Sequence, residues 1–329
     1  MFDRAFPQPH IRSMLSRGIS LRHLHHHQAG QRVLRLACVG LLSAVMVGCA
    51  ILRQPTNSAD SHAWQAPGAT DFEAFATAPV LLLGEQHDAA QHHRIQTDLV
   101  TWLAARGGLA GLVLEMAEQG KSTAGLPPNA GVDAVKTALG WAEAGWPWAD
   151  YEGAIMAAVR AGVPVVGANL NRTRLREAMN LTALDQRIPS DALLVQDERM
   201  RTGHCGMLPE SQIRPMTRVQ IARDLAMAQT LEASLQATLQ EARKPTQTQP
   251  ASSAAPAASP LAVLLLAGHG HVDKAVGVPQ HLSLPHRVLR LQAGASDKAG
   301  QAPDSSADLV WLTPALPPTD YCAALRQPR

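Results

Sequence analysis

Leu81-Leu82-Leu83-Gly84-Glu85-Gln86-His87-Asp88, followed by Gln91-His92-His93, is the stretch on which the fold turns. An apolar run ends in a small residue, and a carboxylate and a histidine follow at once. That pattern predicts a buried strand whose C-terminal end delivers polar groups into a site, with a helix starting just after. A second stretch repeats it far downstream, Leu264-Leu265-Leu266-Ala267-Gly268-His269-Gly270-His271. Both obey Gly-x-x-His, as Gly84/His87 and Gly268/His271. Two strands so far apart in sequence, each tipped with His, predict one site built across a sheet.

Working outward from these two runs, strands are expected over 80–83, 110–114, 163–167, 261–267, 287–291 and 308–312. Helices are expected over 90–106, 131–140, 151–161, 174–184 and 216–242, with a short one starting at 271. Ile95, Leu99, Trp102 and Leu103 mark the buried stripe of the first helix, and Gly107-Gly108 ends it. Residues 185–213 are mixed in character and read as a lobe or lid. Residues 244–260 (KPTQTQPASSAAPAASP) are low in complexity and read as a disordered insertion. Residues 294–306 read as a flexible loop. Strands alternating with helices predict an α/β fold, a largely parallel sheet flanked by helices, with a smaller helical lobe. Ligands of such sheets lie outside the C-terminal strand ends. Four tips then supply Glu85 and His87, Glu115, Asn169 and Arg172, and His269 and His271.

The chain has 329 residues and 46% hydrophobic content, enough for a large core. Its net charge of +2 is uneven. Residues 1–48 hold six Arg and one Asp, so the remaining 23 basic and 26 acidic residues sum to −3. There is no basic stripe and no basic–aromatic interleaving, which argues against nucleic acid as a partner.

Residues 36–48 (LACVGLLSAVMVG) are apolar but for Ser43, follow Arg-rich sequence, and are too short to span a bilayer. They match the apolar core of a signal peptide. The ending Met46-Val47-Gly48-Cys49 resembles the bacterial lipobox, with Met46 in the usual Leu position. The expected product is cleaved before Cys49 and acylated there, and several acyl chains anchor firmly at roughly 0.8 kcal/mol per buried CH₂. Ala50 in place of Asp points to the outer membrane, facing the periplasm. His23, His25, His26 and His27 resemble a metal tract but lie upstream of the cleavage point. The expected organisation is a signal peptide over 1–48, a lipidated Cys49 and tether over 49–78, a folded domain over 79–313, and a Pro-rich tail over 314–329. Cys205 and Cys322 remain after processing. An oxidising periplasm permits their pairing, and sequence leaves it open.

Histidines and carboxylates in one pocket support three readings. They could form a metal site that activates water, a general acid–base pair for hydrolysis, or a haem pocket. A fourth, plainer reading has the histidines hydrogen-bonding loops at the strand ends. No Gly-x-Ser-x-Gly elbow, P-loop or His-Glu-x-x-His is present, which argues against a serine hydrolase, an NTPase and a zincin. Trp141, Trp146, Trp148 and Tyr151 cluster in a chain with 4% aromatics. They form either a wall for a flat apolar ligand or a packing patch, and residue types alone favour packing.

At these residues the sequence resembles the ChaN-like haem-binding lipoproteins, in the wider group that holds the TIKI proteins and the erythromycin esterases. The resemblance runs through Leu82-Leu83-Gly84-Glu85-Gln86-His87-Asp88 with His92, His93 and Gln96, then Leu114-Glu115-Met116 and Trp148-x-x-Tyr151. It continues through Ala168-Asn169 with Arg172, Gln220-x-x-Arg223-Asp224-x-x-Met227-Ala228, and Gly268-His269-Gly270-His271-Val272 with Gly277-Val278-Pro279. It implies a lipoprotein that binds haem in iron acquisition, with subunits pairing around the cofactor as a homodimer. It implies Tyr151 as the iron ligand, through the Trp-x-x-Tyr element, and Glu85, His87, Glu115, Asn169, Arg172, His269 and His271 around the haem. Tyr321 lies outside the resemblance. The wider group also contains hydrolases, some metal-dependent. On that reading Glu85, His87, Glu115 and His271 would bind metal or activate water.

Overall fold

A computed structural model describes residues 64–243, 261–294 and 305–326. The signal segment, Cys49 and the 244–260 insertion lie outside the described residues. The elements run α1 (Ala69–Phe75), β1 (Val80–Glu85), α2 (Ala90–Ala105), β2 (Leu109–Glu118), α3 (Val132–Leu139), α4 (Trp148–Arg160), β3 (Val165–Asn169) and α5 (Arg172–Asn180). They continue α6 (Ser190–Gly203), α7 (Glu210–Ala242), β4 (Ala262–Gly268), α8 (His269–Val272), β5 (His286–Ala293), β6 (Leu309–Thr313) and α9 (Ala323–Arg326).

The six strands form one sheet in the order β3-β2-β4-β1-β5-β6, every ladder parallel. Strands β1 and β4 are neighbours at its centre, with Glu85 opposite Gly268. The two Gly-x-x-His tips therefore meet, as their repetition implied. Both strands are buried along their whole length, which is why they read as unbroken apolar runs. Alternate residues feed two layers. Leu81 and Leu83 pack with Ile95 and Leu99 of α2 and Ile155 of α4. Val80 and Leu82 pack on the other face with Met227, Leu231 and Leu235 of α7. A third cluster, with Leu184, Ile188, Leu193 and Ile221, binds α5 and α6 to α7. This is the smaller helical lobe, and the segment expected as mixed lobe or lid is largely the helix α6.

Four expectations are corrected. The tether expected up to residue 78 instead carries α1, whose Phe72 and Phe75 are buried and pack against Trp102 and Trp311. Strand β2 does not stop at Leu114 but continues to Glu118, so Glu115 sits within it rather than at its tip. Helix α4 starts at Trp148, three residues earlier than expected, which turns Tyr151 inward. Helix α7 starts at Glu210, six residues earlier than expected, and carries Pro215 inside it as its sixth residue, where the ring forgoes the hydrogen bond to the Ser211 carbonyl.

Candidate functional site

The site begins at the last residue of β1. Glu85 is buried, and its carboxylate accepts hydrogen bonds from the Tyr151 hydroxyl at 2.9 Å and from Gln96 Nε2 at 2.6 Å. His87 Nδ1 lies 2.8 Å from the same carboxylate and His93 Nε2 3.2 Å from it. Helices α2 and α4 thus aim three side chains at one strand end. Burial alone would push this carboxyl group up, but the His87 and His93 contacts outweigh it and hold it at about 2. Glu85 is ionised at neutral pH.

A second ionic group sits one strand over. Buried Glu115 accepts from the Gly268 amide at 2.7 Å and from Arg223 at 2.5 Å, and lies 3.4 Å from His271 Nε2. His271 Nδ1 meets Asp224 Oδ1 at 2.5 Å. Burial penalises the His271 cation, yet the Glu115 and Asp224 carboxylates raise it to about 9. Burial raises Glu115 too, but the charges of His271 and Arg223 win and hold it well below the carboxylate range. Asp224 is pushed up by burial. The proton between Asp224 and His271 sits on the ring, because two carboxylates face it from opposite sides. This layer is an internally neutralised ion network of the kind that is costly to break.

Above it lies an open face. The His87 side chain is 38% exposed and its ring meets Trp146 edge-on at 4.9 Å. His269, at the start of α8, is exposed. Asp88 is exposed too and accepts a hydrogen bond from the Tyr321 hydroxyl at 2.5 Å. Burial lowers the His87 imidazole, but the hydrogen bond to Glu85 and the charge of Glu115 lift it above its ordinary value overall.

The two Gly-x-x-His motifs owe their spacing to these contacts. A Cβ on Gly84 would run into Val272 and would stand 2.9 Å from the His269 backbone, so β1 could not pass beneath α8. A Cβ on Gly268 would stand 2.7 Å from His87 Nε2.

Of the expected residues, Glu85, His87, Glu115, His269 and His271 come together. Asn169 joins indirectly, its Oδ1 accepting from Arg223 Nε at 3.0 Å. Arg172 does not join. It opens α5, is exposed, and has no ion pair among the described residues. The arginine of the site is Arg223. It and Asp224 carry part of the family resemblance but fall outside the set of expected site residues. Their signal was present, since Asp224 falls on the same stripe of α7 as Met227, Leu231 and Leu235, an acid on an apolar face.

Tyr151, expected as the iron ligand, is turned into the interior. It is 1% exposed and its hydroxyl is committed to Glu85. Burial and the adjacent carboxylate push its phenol far above the ordinary value, so it holds its proton. It packs at 5.8 Å from Trp141 and 6.2 Å from Trp146, while Trp141 packs at 5.0 Å from Trp148. The aromatic cluster is mainly packing, with only Trp146 reaching the open face. The alternative catalytic set of Glu85, His87, Glu115 and His271 is engaged in mutual contacts and with Arg223 and Asp224. Among the described residues no three His, Cys, Asp or Glu side chains converge to hold a metal ion.

Fold and site together define a parallel α/β protein with a buried acid–histidine network under an exposed imidazole face at the central strand ends. The chain belongs to the haem-binding uptake family of the Tiki superfamily, ChaN, whose model matches residues 72–282. It is similar to the solved structure described as cofacial heme binding to ChaN of Campylobacter jejuni, with 20% identity and a TM-score of 0.51 over 76% of this chain and 94% of that one. That likeness shows the fold. The type III effector HopBA1 aligns at 18% identity and a TM-score of 0.42, over 74% of this chain and 92% of that one. No curated protein matches the chain.

The side chains that could face a bound haem lie on the open face and not in the buried layer. An iron donor must reach a ligand as wide as a porphyrin. His87, His269 and Tyr321 are exposed enough to do so, whereas Tyr151, Glu115 and His271 are not.

Proposed function

We propose that the protein binds haem on the face formed by His87, Trp146 and His269, and that it serves haem or iron uptake at the bacterial envelope. The observation that carries the site is His87, an exposed imidazole whose orientation is fixed by a buried carboxylate that stays ionised. Glu85 holds the ring from below and fixes its orientation. Trp146 offers an aromatic edge beside it, suited to a flat apolar ring. Bound haem would supply an iron centre and a large apolar surface. The chain's own part is to present donors, exclude water beneath them, and hold the face rigid through the Glu85 and Glu115 networks.

The finer reading follows the sequence. The apolar segment 36–48 and the lipobox-like ending at Cys49 support an acylated, membrane-anchored protein of the outer membrane, facing the periplasm. The Cys205–Cys322 disulfide, with Cα atoms 5.9 Å apart, agrees with an oxidising compartment. In the proposed homodimer two copies would bring their haem faces together.

Optical titration with haemin tests the site. A saturable Soret shift is expected, weakened about tenfold or more, or ~1.4 kcal/mol, in His87→Ala. An unchanged affinity in that variant would place haem elsewhere.

A further inference from the structure

The family match ends at residue 282, yet the chain beyond β6 returns to the site. Its start is fastened by Thr313, whose hydroxyl lies 3.0 Å from His92 Nε2. His92 Nδ1 in turn accepts from the Gln86 amide at 2.9 Å. The far end is fastened by the Tyr321 hydroxyl on Asp88, and Cys322 beside it is bonded to Cys205 at the end of the helical lobe. The tail therefore grips both ends of the loop Gln86-His87-Asp88, the loop that carries the exposed imidazole. Tyr321 itself is 64% exposed, so no packing explains its position. A disulfide across 117 residues holds it there instead. The chain has two tyrosines, and the other, Tyr151, is sealed beneath the site.

We propose that the disulfide-strapped tail completes the haem face and that Tyr321 supplies a phenol oxygen to the iron. The proposal rests on the haem reading above. The balance is simple. The oxygen–iron bond would form as the phenol O–H breaks, haemin's axial chloride or water would leave to solvent, and the proton would pass to Asp88, which already accepts that hydrogen bond, or onward to water. The iron stays ferric throughout, and a phenolate is a hard anion suited to it. A second consequence is redox sensitivity. Two-electron reduction of Cys205–Cys322 by a phosphine or dithiol frees the tail, and the phenol leaves the face.

The test uses the full chain, oxidised, titrated with haemin and followed by absorption and electron paramagnetic resonance. Wild type should show the charge-transfer band of a ferric phenolate. Tyr321→Phe should lose that band and weaken haem about tenfold, or ~1.4 kcal/mol, with its circular dichroism unchanged. Tyr151→Phe should keep the band. Paired Cys205→Ala and Cys322→Ala, or wild type treated with a phosphine that does not itself ligate haem as a thiol would, should weaken the band and the affinity. If Tyr321→Phe keeps both band and affinity, the tail proposal is wrong while haem binding stands. If wild type gives no saturable shift, the haem reading itself falls. Should the paired cysteine variant fail to fold, Tyr321→Phe decides the matter alone.

Discussion

Gly84 and Gly268 both leave no room for a side chain but should fail differently when enlarged. At Gly84 the obstacle includes the His269 backbone, which cannot swing away. Gly84→Ala is expected to cost about 1–3 kcal/mol in denaturant unfolding, as overpacked sites do. At Gly268 the nearest atom is the end of the His87 ring, which can turn. Gly268→Ala should lose little stability and much haem affinity. His271 makes a pH prediction. Its folded pKa of about 9 lies above the ordinary 6.5, so its stabilising effect is full below pH 6.5 and lost as pH rises through 9. The loss is on the order of 3 kcal/mol, and His271→Gln should flatten that limb of a urea midpoint series. Glu85 acts in the opposite sense, its contribution complete above about 4.5 and lost as pH falls through 2. At this scale the sequence carried the spacing of glycine, acid and histidine, because each follows from strand geometry. It did not carry the fate of Tyr151, which depends on where α4 begins and on which carboxylate its hydroxyl meets.

Helix α2 lays Leu99 into the core, fully buried, while Leu194 on α6 is 65% exposed. Leu99→Ala should cost about 2–5 kcal/mol and Leu194→Ala no more than about 0.5, measured by the same unfolding assay. Helix α7 gives a sharper contrast. Arg223→Leu would leave buried Glu115 without its shortest charged contact, a loss of about 3–5 kcal/mol. An equal midpoint for that variant and wild type would show that Glu115 is not held as described. Long elements with a sustained apolar stripe were legible in the sequence, and short ones were not. Helix α1 shows only two buried phenylalanines in seven residues, Phe72 and Phe75, too few to set a period. Strand β2 hid its last turn toward the site because Glu115 interrupts its apolar run, and a charge inside a strand looks like a strand's end.

The molecule as a whole joins residues by sheet order, and order is the part of the fold that one sequence expresses least. Local periodicity gave six strands with boundaries close to those observed, but nothing local says that β1 lies between β4 and β5. Only the repeated Gly-x-x-His hinted that β1 and β4 meet, and it did so through chemistry rather than propensity. Their adjacency stacks a neutralised ionic layer under an exposed imidazole face, with a tail bonded to the lobe alongside. The proposal that joins these features is haem binding at this face. Its most direct test is an optical titration of the full oxidised chain with haemin, beside His87→Ala and Tyr151→Phe. A saturable Soret shift at a fixed stoichiometry is expected, weakened in the first variant and kept in the second. A wild-type chain that shows no saturable shift, or a shift lost only in Tyr151→Phe, would contradict it.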